Sequence, residues 1–294
     1  MPLSRRTFLA AGALALCPSA ARAAAPAAGD ALWIWGTGRG AWPEVAAAMR
    51  REGFATAFLS IPPAERALLD ASPGALEAAL APFTEQGIAV MLAAGDPSWA
   101  DGRPMPPALR NLLRMAAQSP GVAGVALDIE PYTLPLWRSG DDGRRRIAAA
   151  LMDRLDEARA LLAGSGRTLG TILHPTFATT PLPPGHGAGT MADGAIARTD
   201  AVVVMAYRNT PAAIERFGGR LLGALDAAPK PWWFGITVQG GQEEPFVSYA
   251  NAAMPRIRAD MRALGDLARA RPCGRRYQGV AVHAYASLAP KLAP

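Results

Sequence analysis

Eight short apolar runs, separated by longer amphipathic and alanine-rich segments, constrain this chain more than any other feature. The runs cover residues 32–36, 54–60, 88–94, 122–130, 168–174, 201–207, 232–237 and 279–285. Helices are expected between them at 43–52, 74–86, 106–118, 142–163, 191–199, 210–227 and 246–271. Several of these begin with proline in the first turn or with an Asp, Ser or Thr cap, and several end near glycine. Such alternation is the signature of βα units. Eight strands joined by helical crossovers can close into an α/β architecture, the (β/α)8 or TIM barrel, as a single domain. An open doubly wound sheet usually has fewer strands and often a glycine-rich phosphate loop. Gly36-Thr37-Gly38-Arg39-Gly40 lacks both the G-x-G-x-x-G spacing and the Gly-Lys-Ser/Thr ending of such loops, and reads as a flexible barrel loop.

The 294 residues, half of them apolar, accommodate a barrel of about 250 residues and a leader. The expected division is a leader at 1–23, an Ala/Pro linker at 24–30 and the barrel at 31–294. In the leader, Ser4-Arg5-Arg6-Thr7-Phe8-Leu9 precedes an apolar run to Leu16, and Ala21-Arg22-Ala23 forms a small-residue cleavage site. That order is a twin-arginine secretion signal. The twin-arginine translocase is therefore an expected partner, and the expected location is periplasmic or extracellular. The apolar run falls short of the roughly 20 residues that span a bilayer, so no transmembrane segment is expected in the mature protein. Cys17 sits in this leader, where Leu14-Ala15-Leu16 only partly resembles a lipoprotein box. Cleavage near Ala23 would leave Cys273, between Pro272 and Gly274, as the sole cysteine, an inert loop thiol with no disulfide partner.

The formal charge is +6, and loss of Arg5, Arg6 and Arg22 with the leader lowers it to +3. Apart from Arg144-Arg145-Arg146 and Arg275-Arg276, the arginines are scattered over helices without interleaved aromatics. Nucleic acid is not an expected partner.

The fourth apolar run ends in acids. Alternation along a strand puts Val122, Gly124, Ala126, Asp128 and Glu130 on one side, and Ala123, Val125, Leu127 and Ile129 on the other. The greasier second set suits the helix-packed outside of a barrel. Asp128 and Glu130 are then expected to face inward, at the C-terminal mouth where active sites of this architecture lie. Two buried acids are costly unless paired, hydrogen-bonded or neutral. At i, i+2 spacing their Cα atoms lie roughly 6.5–7 Å apart, close enough to share a proton and raise one pKa. A carboxylic acid kept protonated near neutrality is what general acid catalysis at a glycosidic oxygen requires. The structural alternative is an acid pair that anchors loops through Arg138 or backbone amides.

Here the sequence resembles glycoside hydrolase family 18, the chitinase-like barrels, whose fourth strand carries D-G-x-D-x-D-x-E. This chain reads Ala123-Gly124-Val125-Ala126-Leu127-Asp128-Ile129-Glu130, matching the glycine, the last Asp and the Glu, with alanine at both earlier Asp positions. On the sixth strand the family's Met-x-Tyr-Asp corresponds to Met205-Ala206-Tyr207-Arg208. The resemblance implies a retaining mechanism in which the substrate's 2-acetamido oxygen attacks the anomeric carbon, an exception to the two-carboxylate scheme. It implies Glu130 as general acid/base, Asp128 as the group that orients the acetamido and shares a proton, Tyr207 as its hydrogen-bond partner and Met205 as floor. Ala126 removes the inner acid that normally partners Asp128. Arg208 removes another and alters which sugar is accepted.

The expected substrate is an oligo- or polysaccharide, with amino-sugar polymers among the candidates. Without an acetamido group on the substrate, a second carboxylate must serve: Asp96 beyond the third strand first, then Glu243 and Glu244. Loop capping or solvent exposure is the alternative for all three. His174, His283 and Tyr285 are expected at the mouth, either touching sugar hydroxyls or as structural hydrogen-bonders. Tyr132 and Gln239, after the fourth and seventh strands, join the candidate binding residues. Trp99 and Trp137 are expected to stack on sugar rings. Trp232 and Trp233 are expected in the core, and Trp33 and Trp35 share a face that alternation leaves unassigned. No metal or other cofactor is expected, since Trp33-Ile34-Trp35 stands where metal-dependent hydrolase barrels carry His-x-His. The alternative to an enzyme is a non-catalytic carbohydrate-binding barrel, and a barrel hydrolase acting on a non-sugar substrate is a third reading. Retention of Glu130 favours the enzyme, because a lectin has no use for a poised proton.

Overall fold

The computed structural model describes residue 26 and residues 28–70, 74–241 and 244–292. Eight parallel strands close in sequence order, with β8 pairing back onto β1. They are β1 (Ala31–Ile34), β2 (Thr56–Leu59), β3 (Ala89–Ala94), β4 (Val122–Leu127), β5 (Thr168–Leu173), β6 (Ala201–Val204), β7 (Trp232–Thr237) and β8 (Tyr277–His283). The helices among the described residues are α1 (Trp42–Glu52), α2 (Pro63–Asp70), α3 (Ala75–Thr84), α4 (Pro107–Gln118), α5 (Asp141–Leu162), α6 (Met191–Arg198), α7 (Pro211–Ala227), α8 (Met254–Arg269) and α9 (Tyr285–Leu292). The fold is the single-domain (β/α)8 barrel that the alternation of runs predicts. The leader, Cys17 included, lies outside the described residues.

Helices α2 and α9 have no counterpart in the sequence reading. Each is only 8 residues long, and α9 contains Pro290, so neither shows a sustained helical period. Helix α8 begins at Met254, with Pro255 in its first turn, later than the expected residue 246. The intervening residues form a loop pinned to the end of β7: Tyr249 N donates to Thr237 O (2.9 Å), and Ser248 Oγ donates to Gln239 O (2.6 Å).

The core has two compartments. Outside the sheet, aliphatic side chains such as Leu32, Val125 and Val282 pack against the helices. Inside, Trp33, Phe58, Met91, Ile172, Val203 and Trp233 fill the lumen, with ring centroids 4.7 Å apart for Trp33–Phe58 and 5.7 Å for Phe58–Trp233. Trp33 therefore faces inward, with Trp35 packed against the same cluster. Trp232 lies in the outer compartment and donates from Nε1 to Cys273 O (3.1 Å). Cys273 is buried, and burial pushes its thiol up to about 12, consistent with an inert thiol.

The faces of β4 differ from strict alternation at its start. Val122 packs outward and Ala123 with the lumen. The β3–β4 register runs from Val90↔Val122 to Met91↔Gly124, so Ala123 is an extra residue at a bulge that resets the phase. Beyond it Val125 and Leu127 face out, and Ala126 faces in, as expected.

Candidate active site

Asp128 follows directly on β4, and its amide still donates to Ala94 O at 2.9 Å, so the ladder carries it inward. Glu130 begins a short helical turn, Pro131–Thr133, and its carbonyl accepts from Thr133 N (3.1 Å) and Thr133 Oγ1 (2.8 Å). Backbone packing fixes this corner. A Cβ on Gly95 would lie 1.8 Å from Asp128 O, so only glycine lets the ends of β3 and β4 approach this closely. Gly95→Ala is expected to displace Asp128 and to cost about 1–3 kcal/mol. That loss should appear as a fall of several degrees in Tm. An unchanged melting curve would show that this contact does not hold the corner.

Asp128 and Glu130 open into a cavity of about 440 Å³ at the C-terminal mouth of the barrel. Tyr132, His174, Met205, Tyr207, Arg208, Gln239 and His283 line it too. Nine of the residues singled out from the sequence thus share one cavity. Two larger grooves, of about 690 and 560 Å³, lie over the ends of β1–β3 and at the opposite end of the barrel beside α8, and neither contains a comparable acid pair.

The other described candidates lie elsewhere. Asp96 caps the turn after β3, with Oδ1 accepting from Ser98 N (2.8 Å) and Ser98 Oγ (2.6 Å). Together with Trp99 it lines the groove over β1–β3. Trp99 is only 7% exposed, too covered to serve as a sugar platform. Trp137 packs on Phe177 at 6.4 Å in the outer compartment. Tyr285 does not extend the β8 alternation, because the strand ends at His283 and Tyr285 opens α9 against the outer core. Glu244 is exposed, and Glu243 lies outside the described residues.

Three cavity residues are not among those the sequence points to. Thr237 shares the inward face of β7 with Trp233 and Gly235, so strand alternation alone would have found it. Phe217 on α7 and Val247 in the loop after β7 reach the cavity through packing that carries no local signal.

The electrostatics separate the cavity's groups. Asp128 is partly buried, its enclosed Oδ1 has no hydrogen-bond partner, and burial followed by the Glu130 charge raises its carboxyl to about 7. Burial also raises Glu130, against the opposing effect of hydrogen bonding with the Tyr132 phenol. Tyr207 is partly buried. Burial and the charges of Asp128 and Glu130 hold its phenol well above the ordinary value, as a neutral donor. A Cβ on Gly235 would lie 3.3 Å from the Tyr207 ring, so that glycine makes room for it.

Both histidines are lowered to about 4, His174 by burial and the Arg208 charge and His283 by burial. His174 Nδ1 accepts from Thr176 N at 3.3 Å, which leaves the proton on Nε2. His283 stacks on Tyr207 at 6.1 Å and meets Trp33 edge-on at 5.7 Å. Among the described residues, no group of three or more His, Cys, Asp or Glu side chains is placed to hold a metal ion.

No family model matches the chain, and no curated protein matches it in sequence. Solved structures do match in fold. A glycoside hydrolase family 18 chitinase from Pseudoalteromonas aurantia superposes with a TM-score of 0.52 at 15% identity, over 88% of this chain and 94% of that one. A chitinase from Chromobacterium violaceum gives 0.50 at 14%, over 91% and 100%. A β-galactosidase from Marinomonas ef1 gives 0.53 at 12%, over 87% of this chain but only 54% of the longer one. The chain therefore has a (β/α)8 barrel fold similar to those of family 18 chitinases and is divergent from them in sequence.

Proposed function

We propose that this protein is an exported glycoside hydrolase that cleaves an oligo- or polysaccharide containing N-acetylated amino sugars, with Glu130 as general acid/base and retention of anomeric configuration. The observation that carries this reading is the apposition of Asp128 and Glu130 in one cavity, both with raised proton affinity. In the first step Glu130 donates its proton to the glycosidic oxygen as the C1–O bond breaks. The substrate's acetamido oxygen bonds to C1, with Asp128 and Tyr207 orienting that group. In the second step the Glu130 carboxylate takes a proton from water, which bonds to C1 and reopens the acetamido.

Two further points support this route. Among the described residues the cavity holds no carboxylate besides this pair, so a separate nucleophile on another strand is not at hand. Asp96, the first candidate for that task, is occupied as a loop cap in another groove. Ala126 is buried in the lumen with no acid beneath Asp128, which leaves Glu130 as the titrating partner. Export rests on Arg5-Arg6, the apolar run after them and Ala21-Arg22-Ala23.

The test is a panel of N-acetylated, deacetylated and neutral polymers, read by new reducing ends and by the anomer first released. Cleavage restricted to N-acetylated members with retention is expected. Binding without cleavage across the panel would transfer the protein to the carbohydrate-binding reading.

A further inference from the structure

The acid pair and Tyr207 have tasks in the proposed chemistry, but a cation in the same cavity does not. Arg208 follows β6 and lines the cavity that holds Glu130. Its Nη1 donates to the carbonyl of its neighbour Tyr207 at 2.6 Å. Its guanidinium carbon lies 3.7 Å from the centre of the Phe217 ring and 5.3 Å from that of Phe246. Among the described residues it makes no ion pair, and burial alone lowers its pKa. Its charge helps keep His174 neutral, and the Phe217 ring it stacks on meets His174 edge-on at 5.7 Å, so the guanidinium lies on the His174 side of the cavity.

A guanidinium is a planar fork of donors, and stacking on aromatic rings fixes the plane of that fork. With one nitrogen tied to the backbone, the others remain for an acceptor. A ligand filling this cavity removes water from the cation, at a cost unless the ligand itself brings a counter-charge. A neutral sugar brings hydroxyls only. A carboxylate brings two oxygens at the spacing of the fork and can take both bonds.

We propose that Arg208 is a specificity-determining residue that receives the carboxylate of a hexuronic acid, so that the substrate is a glycan in which a uronate adjoins the amino sugar cleaved at Glu130. This rests on the glycosidase reading and narrows it.

The experiment uses the full chain with Glu130→Gln, to suppress turnover, and isothermal titration with a tetrasaccharide of alternating N-acetylglucosamine and glucuronate. The comparison ligands are the same tetrasaccharide with its carboxyls reduced to alcohols, and a reduced form bearing sulfate esters instead. The carboxylated ligand is expected to bind at least about tenfold more tightly than the reduced one, within the range a desolvated charge-assisted hydrogen bond supplies. That ratio should collapse towards one when Arg208→Gln is added, and recover in part with Arg208→Lys. Equal binding of the acid and its reduced form overturns the proposal without any change at Arg208. A ratio that survives Arg208→Gln also overturns it, as does preference for the sulfated ligand.

The two readings fail separately. If the unaltered protein cleaves an N-acetylglucosamine oligomer as well as the uronate-containing one, the inference falls and the glycosidase stands. If the acid binds through Arg208 but no member is ever cleaved, the glycosidase falls and the carboxylate site stands.

Discussion

Glu130→Gln is expected to lower turnover of the cognate glycan by about 10²–10⁴-fold, the usual contribution of a positioned general acid/base. The amide keeps the shape of the side chain and can still hydrogen-bond to Tyr132, but it has no acidic proton to give to a departing oxygen. Ligand affinity should change little by comparison, and titration of the variant with an uncleaved oligosaccharide checks this. The pH profile is the sharper readout. Activity of the unaltered protein should decline on the alkaline side as the acid pair loses the proton it shares. A variant that retained turnover within a few fold, with the same alkaline decline, would falsify the assignment of Glu130 as proton donor.

Asp128→Asn is expected to stabilise the fold while impairing the chemistry. Burial and the Glu130 charge raise the Asp128 carboxyl from the ordinary 3.8 to about 7. Below about pH 4 the group is protonated in folded and unfolded chains alike, and the shift contributes nothing. Between about pH 4 and 7 the unfolded chain releases the proton and the folded one keeps it, so stability falls as pH rises. Above the folded value the whole penalty is present, on the order of 4 kcal/mol at about 1.4 kcal/mol per unit. Asparagine carries no such penalty. The gain in Tm should therefore be absent near pH 4 and grow to about 10 °C at pH 8. A gain of equal size at both pH values would mean that packing, and not charge, had changed. Because Glu130 contributes to the shift, the two substitutions should not be additive in stability.

The barrel was legible because parallel strands covered by helices leave an apolar run and an amphipathic segment for every unit. The acid pair was legible because two carboxylates interrupt an otherwise apolar strand on its inward side. What failed was what depends on where a strand stops. Alternation along β8 does not reach Tyr285, because the strand ends at His283 and a helix starts at Tyr285, where the two-residue period no longer applies. Strict alternation puts Val122 on the wrong face because a bulge at Ala123 adds a residue without any mark in composition. Asp96 and Trp99 do lie at the mouth, yet Asp-Pro-Ser is also a turn-capping sequence, and the cap claims the carboxylate that a two-carboxylate mechanism would use. Phe217 enters the cavity from a helix, which a strand-by-strand reading of faces cannot reach.

The aromatic plug of Trp33, Phe58 and Trp233 makes the lumen a cul-de-sac. No path runs through the barrel, so whatever enters over Asp128 and Glu130 must also leave by the mouth. If the proposed glycan lies across that mouth, it will shield the acid pair from bulk solvent, and the water of the proposed second step will reach the site only after the first product has left the opening.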